Sequence, residues 1–143
     1  HRDIRDCQPL QVGAQGVLDN SLAYNGCIVD GTVKNSILFP GVRVEKGAVV
    51  ENSVLFFNTL VKEGGQLAQV VCDVNTTFGR NAQIGLSSAE KKFKDKLTDR
   101  VTVIGWNNDV PDKMRIGCGC SVAPGMEREK WPKKGLEDME VLQ

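Results

Sequence analysis

The stretch Gly26–Val61, GCIVDGTVKNSILFPGVRVEKGAVVENSVLFFNTLV, alternates small or polar pairs with short aliphatic runs. Gly26-Cys27 precedes Ile28-Val29, Asn35-Ser36 precedes Ile37-Leu38, and Asn52-Ser53 precedes Val54-Leu55. An aliphatic residue returns about every five to six positions, too long for the period of two of a strand and too short for an ordinary hairpin. This is the spacing of a hexapeptide β-helix, in which each short strand forms one side of a coil. Gly, Asn, Ser and Asp suit the corners, where tight turns need small residues or ones tolerant of a left-handed backbone. No single coil can bury its own apolar side, so stacked coils must share one column.

The sides follow as expectations. Val33, Ile37, Val49 and Val54 are expected to point inward, leaving Val29, Leu38, Val50 and Leu55 as an outward aliphatic stripe. Such a stripe suggests self-association, most simply as a two-fold dimer. Leu67, Val70-Val71, Phe78 and Ile84 continue the inward set.

The repeat divides the chain. Residues 1–10 (HRDIRDCQPL) are charged, end near a proline and read as a linker. Residues 11–125 read as the β-helix, interrupted by an excursion at 86–100 (LSSAEKKFKDKLTDR). In that excursion Ser88 can cap a helix, and Ala89, Phe93 and Leu97 share one helical face. Residues 126–143 read as a charged C-terminal cap or tail in which Trp131 and Leu136 could cover the open end of the column.

Few residues of the chain form a recognisable catalytic or metal-binding pattern. Eighteen basic and eighteen acidic residues cancel, which points away from nucleic acid and membrane as partners. No apolar run approaches the roughly 20 residues of a membrane-spanning helix, and no signal peptide is visible. Cys7, Cys27, Cys72, Cys118 and Cys120 are odd in number and irregular in spacing, which fits reduced thiols in a cytoplasmic protein and neither a disulfide framework nor a metal site. The single histidine, His1, lies outside the coils, so the base of an acyltransferase and the ligands of a metal-dependent anhydrase cannot be built there. Asp30, Glu45, Glu51 and Asp73 fall at turns and read as solvated corners.

The run NSLAYNGCIVDGTVKNSILFPGVRVEKGAVVENSVLF, Asn20–Phe56, resembles the C-terminal domain of bacterial glucose-1-phosphate adenylyltransferase, also called ADP-glucose pyrophosphorylase, and of its noncatalytic regulatory homologues. The likeness is weaker to Gly85, and Val101–Gly117 is similar to the end of the same domain. The resemblance implies a left-handed parallel β-helix, the hand being one that period alone does not set. It also implies a nucleotidyltransferase domain ahead of His1 that makes ADP-glucose and pyrophosphate from ATP and glucose 1-phosphate with magnesium. This chain carries none of that machinery, so alone it is expected to be inactive and to need no cofactor. The implied partners are its own catalytic domain, further copies in a tetramer, and a phosphorylated effector. Where the family carries effector-binding cations, this chain has Val74 and Asn107. Arg80, Lys91, Lys92 and Arg100 are the remaining candidates for an anion, since neutral side chains offer phosphate no charge-assisted hydrogen bond. The alternative is an assembly scaffold of another sugar nucleotidyltransferase or of a translation-factor subunit.

Overall fold

The computed structural model describes residues 8–86 and 100–143. Among the described residues, nineteen strands of two or three residues run in sequence around a left-handed, three-sided parallel β-helix. Sheet A stacks β1 (Gln11–Val12), β4 (Ile28–Val29), β7 (Arg43–Val44), β10 (Leu60–Val61), β13 (Thr77–Phe78) and β16 (Asp109–Val110). Sheet B stacks β2 (Val17–Asp19), β5 (Thr32–Lys34), β8 (Val49–Glu51), β11 (Gln66–Ala68), β14 (Gln83–Ile84) and β17 (Arg115–Ile116). Sheet C stacks β3 (Leu22–Ala23), β6 (Ile37–Leu38), β9 (Val54–Leu55), β12 (Val70–Cys72), β15 (Thr102–Ile104), β18 (Ser121–Val122) and β19 (Val141–Leu142).

Register partners such as Ile37 and Val54, or Arg43 and Leu60, are 17 residues apart, close to three sides of five to six residues. The step widens to 32 residues between Val71 and Val103, so fifteen extra residues enter between β14 and β15. Residues 87–99 lie outside the described residues, and the helix expected across Ala89, Phe93 and Leu97 lies there with them.

The sides are not those expected for every strand. Val33 points inward and is fully buried, as are Leu67, Val70, Phe78 and Ile84. Ile37, Val49, Val54 and Val71 are only half-buried and face outward. Val29, Leu38, Val50 and Leu55, expected outside, are fully buried in the column. The reason is the corner between sheets B and C. Val33 and Ser36 both face inward across Asn35, and Val50 and Ser53 do so across Asn52. These are steps of three residues, whereas the other two corners keep an even count. Asn35 and Asn52 both adopt φ of 51°, the left-handed region in which Asn is among the tolerated side chains. One such residue shifts the alternation by one, and a one-residue shift exchanges every inward side chain for its neighbour.

Inside that corner the serines form a ladder. The Ser36 N–H donates to Ser21 Oγ at 3.0 Å, the Ser53 N–H to Ser36 Oγ at 3.0 Å, and the Val70 N–H to Ser53 Oγ at 3.1 Å. The corner between C and A stacks Gly41 under Asn58. A Cβ on Gly41 would lie 2.2 Å from Asn58 Oδ1, and its φ is 82°, so glycine is required twice over. At the C-terminal end Trp131 is buried, Leu136 bridges Ile116, and β19 closes sheet C.

Candidate functional site

The three outer faces differ in chemistry. Strands of sheet B carry Asp19, Lys34, Glu51 and Arg115, and those of sheet A carry Arg43 and Asp109. Strands of sheet C carry no charged residue. Its outward column in register is Leu22, Ile37, Val54, Val71 and Val103, an unbroken aliphatic spine over five coils. Beside it, toward the corner between C and A, the ring of Phe39 lies 5.6 Å from Tyr24, 4.8 Å from Phe56 in a stacked arrangement and 5.7 Å from Phe57. Among the described residues, the large exposed apolar side chains other than Val12 and Val17 all lie on this sheet or at the two corners that bound it. Trp106 is 49% exposed and Leu22 57%. Toward the C-terminal end the face deepens into a groove of about 330 Å³ lined by Phe56, Val71, Asp73, Val103, Trp106 and Ser121.

A lone exposed aliphatic residue means little on a folded protein, but a contiguous apolar face with no charge on its strands is a surface suited to being covered. The sequence showed an aliphatic stripe but assigned it to the wrong residues. The signal that could have found it was the serine that follows each Asn at the B–C corner.

The residues considered for an anion are dispersed. Arg80 is exposed at the corner between A and B, in a column with Lys46, Glu63 and Asp112 whose signs alternate. Its backbone N–H donates to Asp112 Oδ1 at 2.8 Å, and Lys46 Nζ lies 4.0 Å from Glu63. Arg100 lies on the other side of β14, at the B–C corner, half-buried, with its guanidinium donating to Cys118 Sγ at 3.6 Å. The structure does not bring these two together, and Lys91 and Lys92 lie outside the described residues. Val74 and Asn107, by contrast, are stacked: the Asn107 N–H donates to the Val74 carbonyl at 3.1 Å. Two basic pairs that sequence reasoning missed, Lys62 with Arg128 and Arg115 with Lys134, line separate clefts. Each cleft also holds two carboxylates, Asp109 with Asp112 and Glu137 with Asp138, so neither is a one-sign field for an anion.

The carboxylates at corners serve the backbone. Glu45 accepts the Glu63 N–H at 3.0 Å and Asp73 accepts the Val74 N–H at 2.7 Å. Burial pushes the Cys72 thiol up to about 11 and raises those of Cys27 and Cys120, which suppresses thiolate nucleophiles. Among the described residues no group of three or more His, Cys, Asp or Glu is placed to hold a metal ion, and no helix is long and apolar enough to cross a membrane.

The GlmU-like, C-terminal hexapeptide family model matches residues 9–105. The chain is 41% identical over 131 residues to a glucose-1-phosphate adenylyltransferase of Thermotoga neapolitana, covering 90% of this chain and 31% of that protein. It is 30% identical over 128 residues to one of Acetivibrio thermocellus, covering 88% of this chain and 30% of the relative. With a glycogen biosynthesis protein GlgD of Bacillus subtilis it shares 51% over 77 residues, covering 54% of this chain and 22% of the relative. The chain thus spans about a third of the length of the curated relatives that match most of it.

Proposed function

Since the chain belongs to the GlmU-like, C-terminal hexapeptide family, we propose that it is the C-terminal assembly and regulatory domain of an ADP-glucose-forming nucleotidyltransferase of glycogen or starch synthesis. The reaction of the whole enzyme is ATP with glucose 1-phosphate giving ADP-glucose and pyrophosphate. The observation that carries this reading is coverage: the likeness to glucose-1-phosphate adenylyltransferases runs over about nine-tenths of this chain. The chemistry belongs to a catalytic domain outside this chain, which works with magnesium in the cytoplasm. The enzyme is a homo-oligomer, a tetramer, whose activity responds to a phosphorylated effector.

The outer face of sheet C, whose strands carry no charge, supports this role. The stripe first expected to make a dimer, Val29, Leu38, Val50 and Leu55, is unavailable because it fills the column. Contact with any partner falls to the spine of Leu22, Ile37, Val54, Val71 and Val103. The test is ADP-glucose formation from ATP and glucose 1-phosphate by the longer product of the same gene and by the 143-residue chain alone. Activity in the longer product and none in the chain is expected. Activity with a different nucleoside triphosphate, or none in the longer product, would replace this reading with that of a scaffold domain.

A further inference from the structure

We propose that the groove at the end of the aromatic corner between C and A binds a small quaternary ammonium ion, with the Asp73 carboxylate as its counter-ion and the rings of Phe56 and Trp106 as its walls. This holds for the 143-residue chain whatever reaction the longer protein performs.

The groove exists because the aromatic ladder breaks. Tyr24, Phe39 and Phe56 follow the register partners Ala23, Leu38 and Leu55, so they occupy one position on three successive coils. Phe39 stacks on Phe56 at 4.8 Å and covers one face of that ring. On the next coil the same position is Asp73, and on the one after it is Gly105, since Leu55, Cys72 and Ile104 are in register. The ladder thus loses its ring and then its side chain. A Cβ on Gly105 would lie 2.6 Å from the Pro124 nitrogen, so the floor stays bare. Trp106, the next residue, is 49% exposed and lines the same space of about 330 Å³.

The lining selects the ligand. Among the described residues, Asp73 is the single charged one in this groove, and Val71, Val103 and Pro124 supply apolar wall. A half-buried carboxylate among aromatic and aliphatic side chains favours a cation, because an anion is repelled and a neutral apolar ligand would strip the carboxylate of water without replacing it. Val74 and Asn107, stacked at the same corner, are neutral, so neither neutralises that charge. The kind of cation follows from the remaining contacts. Asp73 Oδ1 already accepts the Val74 N–H at 2.7 Å, which disfavours the two-pronged grip of a guanidinium. A primary ammonium is strongly hydrated and would give up that water to a mostly apolar lining. A quaternary ammonium spreads its charge over methyl groups, needs no hydrogen bond, and is drawn both to aromatic faces and to a carboxylate.

The test is titration of the 143-residue chain with choline chloride, read by NMR at the Trp106 indole N–H and the Val74 amide, with sodium chloride at matched ionic strength as the blank. Saturable shifts at both groups are expected, half-complete at about 1–10 mM. The neutral isostere of choline, in which a tert-butyl group replaces the trimethylammonium, should bind about tenfold more weakly. Asp73→Asn keeps an oxygen acceptor for the Val74 N–H and should weaken choline about tenfold, as should Trp106→Leu. Melting temperatures show that each variant is folded, and if one is not, the other decides. Shifts that follow ionic strength alone overturn the inference. So does equal binding of choline and its neutral isostere, which would make this a plain apolar groove, and so does unchanged choline binding in a folded Asp73→Asn or Trp106→Leu.

Discussion

Leu38 and Leu55 are register partners in adjacent strands of sheet C, and both are fully buried in the column that their neighbours Ile37 and Val54 border from outside. Two residues adjacent in sequence and similar in hydropathy therefore carry opposite roles. Leu55→Asp is expected to destabilise the chain by several kcal/mol, because a carboxylate would sit among Leu38, Cys72 and the rest of the core without a partner. Val54→Asp should cost about 1 kcal/mol or less, since its side chain faces outward. Urea denaturation of the two variants checks this; equal midpoints would reverse the assignment.

Asn108 holds the last complete corner between C and A. Its amide donates to the carbonyls of Gly105 and Ala123, both at 2.9 Å, and its Oδ1 accepts the Met126 N–H at 2.8 Å. It is buried, so Asn108→Leu removes three hydrogen bonds and strands their backbone partners. A loss of about 2–4 kcal/mol is expected. Asn107→Ala, one residue earlier and exposed at φ of 55°, should cost about 1 kcal/mol through the left-handed backbone alone. Thermal unfolding of both, with hydrogen exchange at Met126, separates the two causes.

How much of this was legible follows from those same residues. The period of the aliphatic runs gave the three-sided coil, and Val33, between Thr32 and Lys34, could be placed inside from its own neighbours. Ile37-Leu38, Val49-Val50 and Val54-Leu55 could not. Both members of each pair are aliphatic, so alternation has no polar residue to anchor it. The deciding fact is the left-handed Asn at the B–C corner, which turns a step of two into a step of three. The outward aliphatic face of sheet C was hidden for the same reason, since it consists of the outward members of such pairs. Asn108 was unreadable because its partners, Gly105, Ala123 and Met126, meet only once the coils stack. Val74 and Asn107, 33 positions apart in the chain, share a corner because successive coils stack, and the insertion between β14 and β15 hides that by widening their separation.

Cys72 sets an alkaline limit. Its thiol is buried against Thr59, with Sγ 3.3 Å from Thr59 Oγ1, and burial raises its pKa from 9.0 to about 11. The folded chain thus holds this proton more tightly than the unfolded chain does. The stabilisation is fully present below pH 9 and is lost as pH rises toward 11, a change on the order of 2–3 kcal/mol. Cys72→Ala should make the fall across that window shallower, with Cys27 and Cys120 still contributing, while lowering stability at pH 7 through lost packing. Denaturant midpoints from pH 7 to pH 11 for both proteins test this, and parallel curves would remove Cys72 as the cause.

The neutral pair Val74 and Asn107 makes a regulatory prediction. Without a cation at that corner, phosphate should not raise the melting temperature of the 143-residue chain measurably. Val74→Arg with Asn107→Lys would place two cations on one stacked corner and should introduce a phosphate-dependent rise. Stabilisation of the unmodified chain by phosphate, abolished by Arg80→Ala or Arg100→Ala, would instead return the anion to those arginines.

The outward placement of the sheet C face is most directly tested by oxidative surface labelling of the 143-residue chain at low concentration, read by mass spectrometry at Tyr24, Phe57 and Trp106 and at the buried Phe78. Tyr24, Phe57 and Trp106 are between 44% and 49% exposed in this structure, and Phe78 is fully buried. Ready labelling of Tyr24, Phe57 and Trp106 is expected, with Phe78 protected inside the column. Labelling of Phe78 as fast as that of Tyr24, Phe57 and Trp106 would contradict that placement.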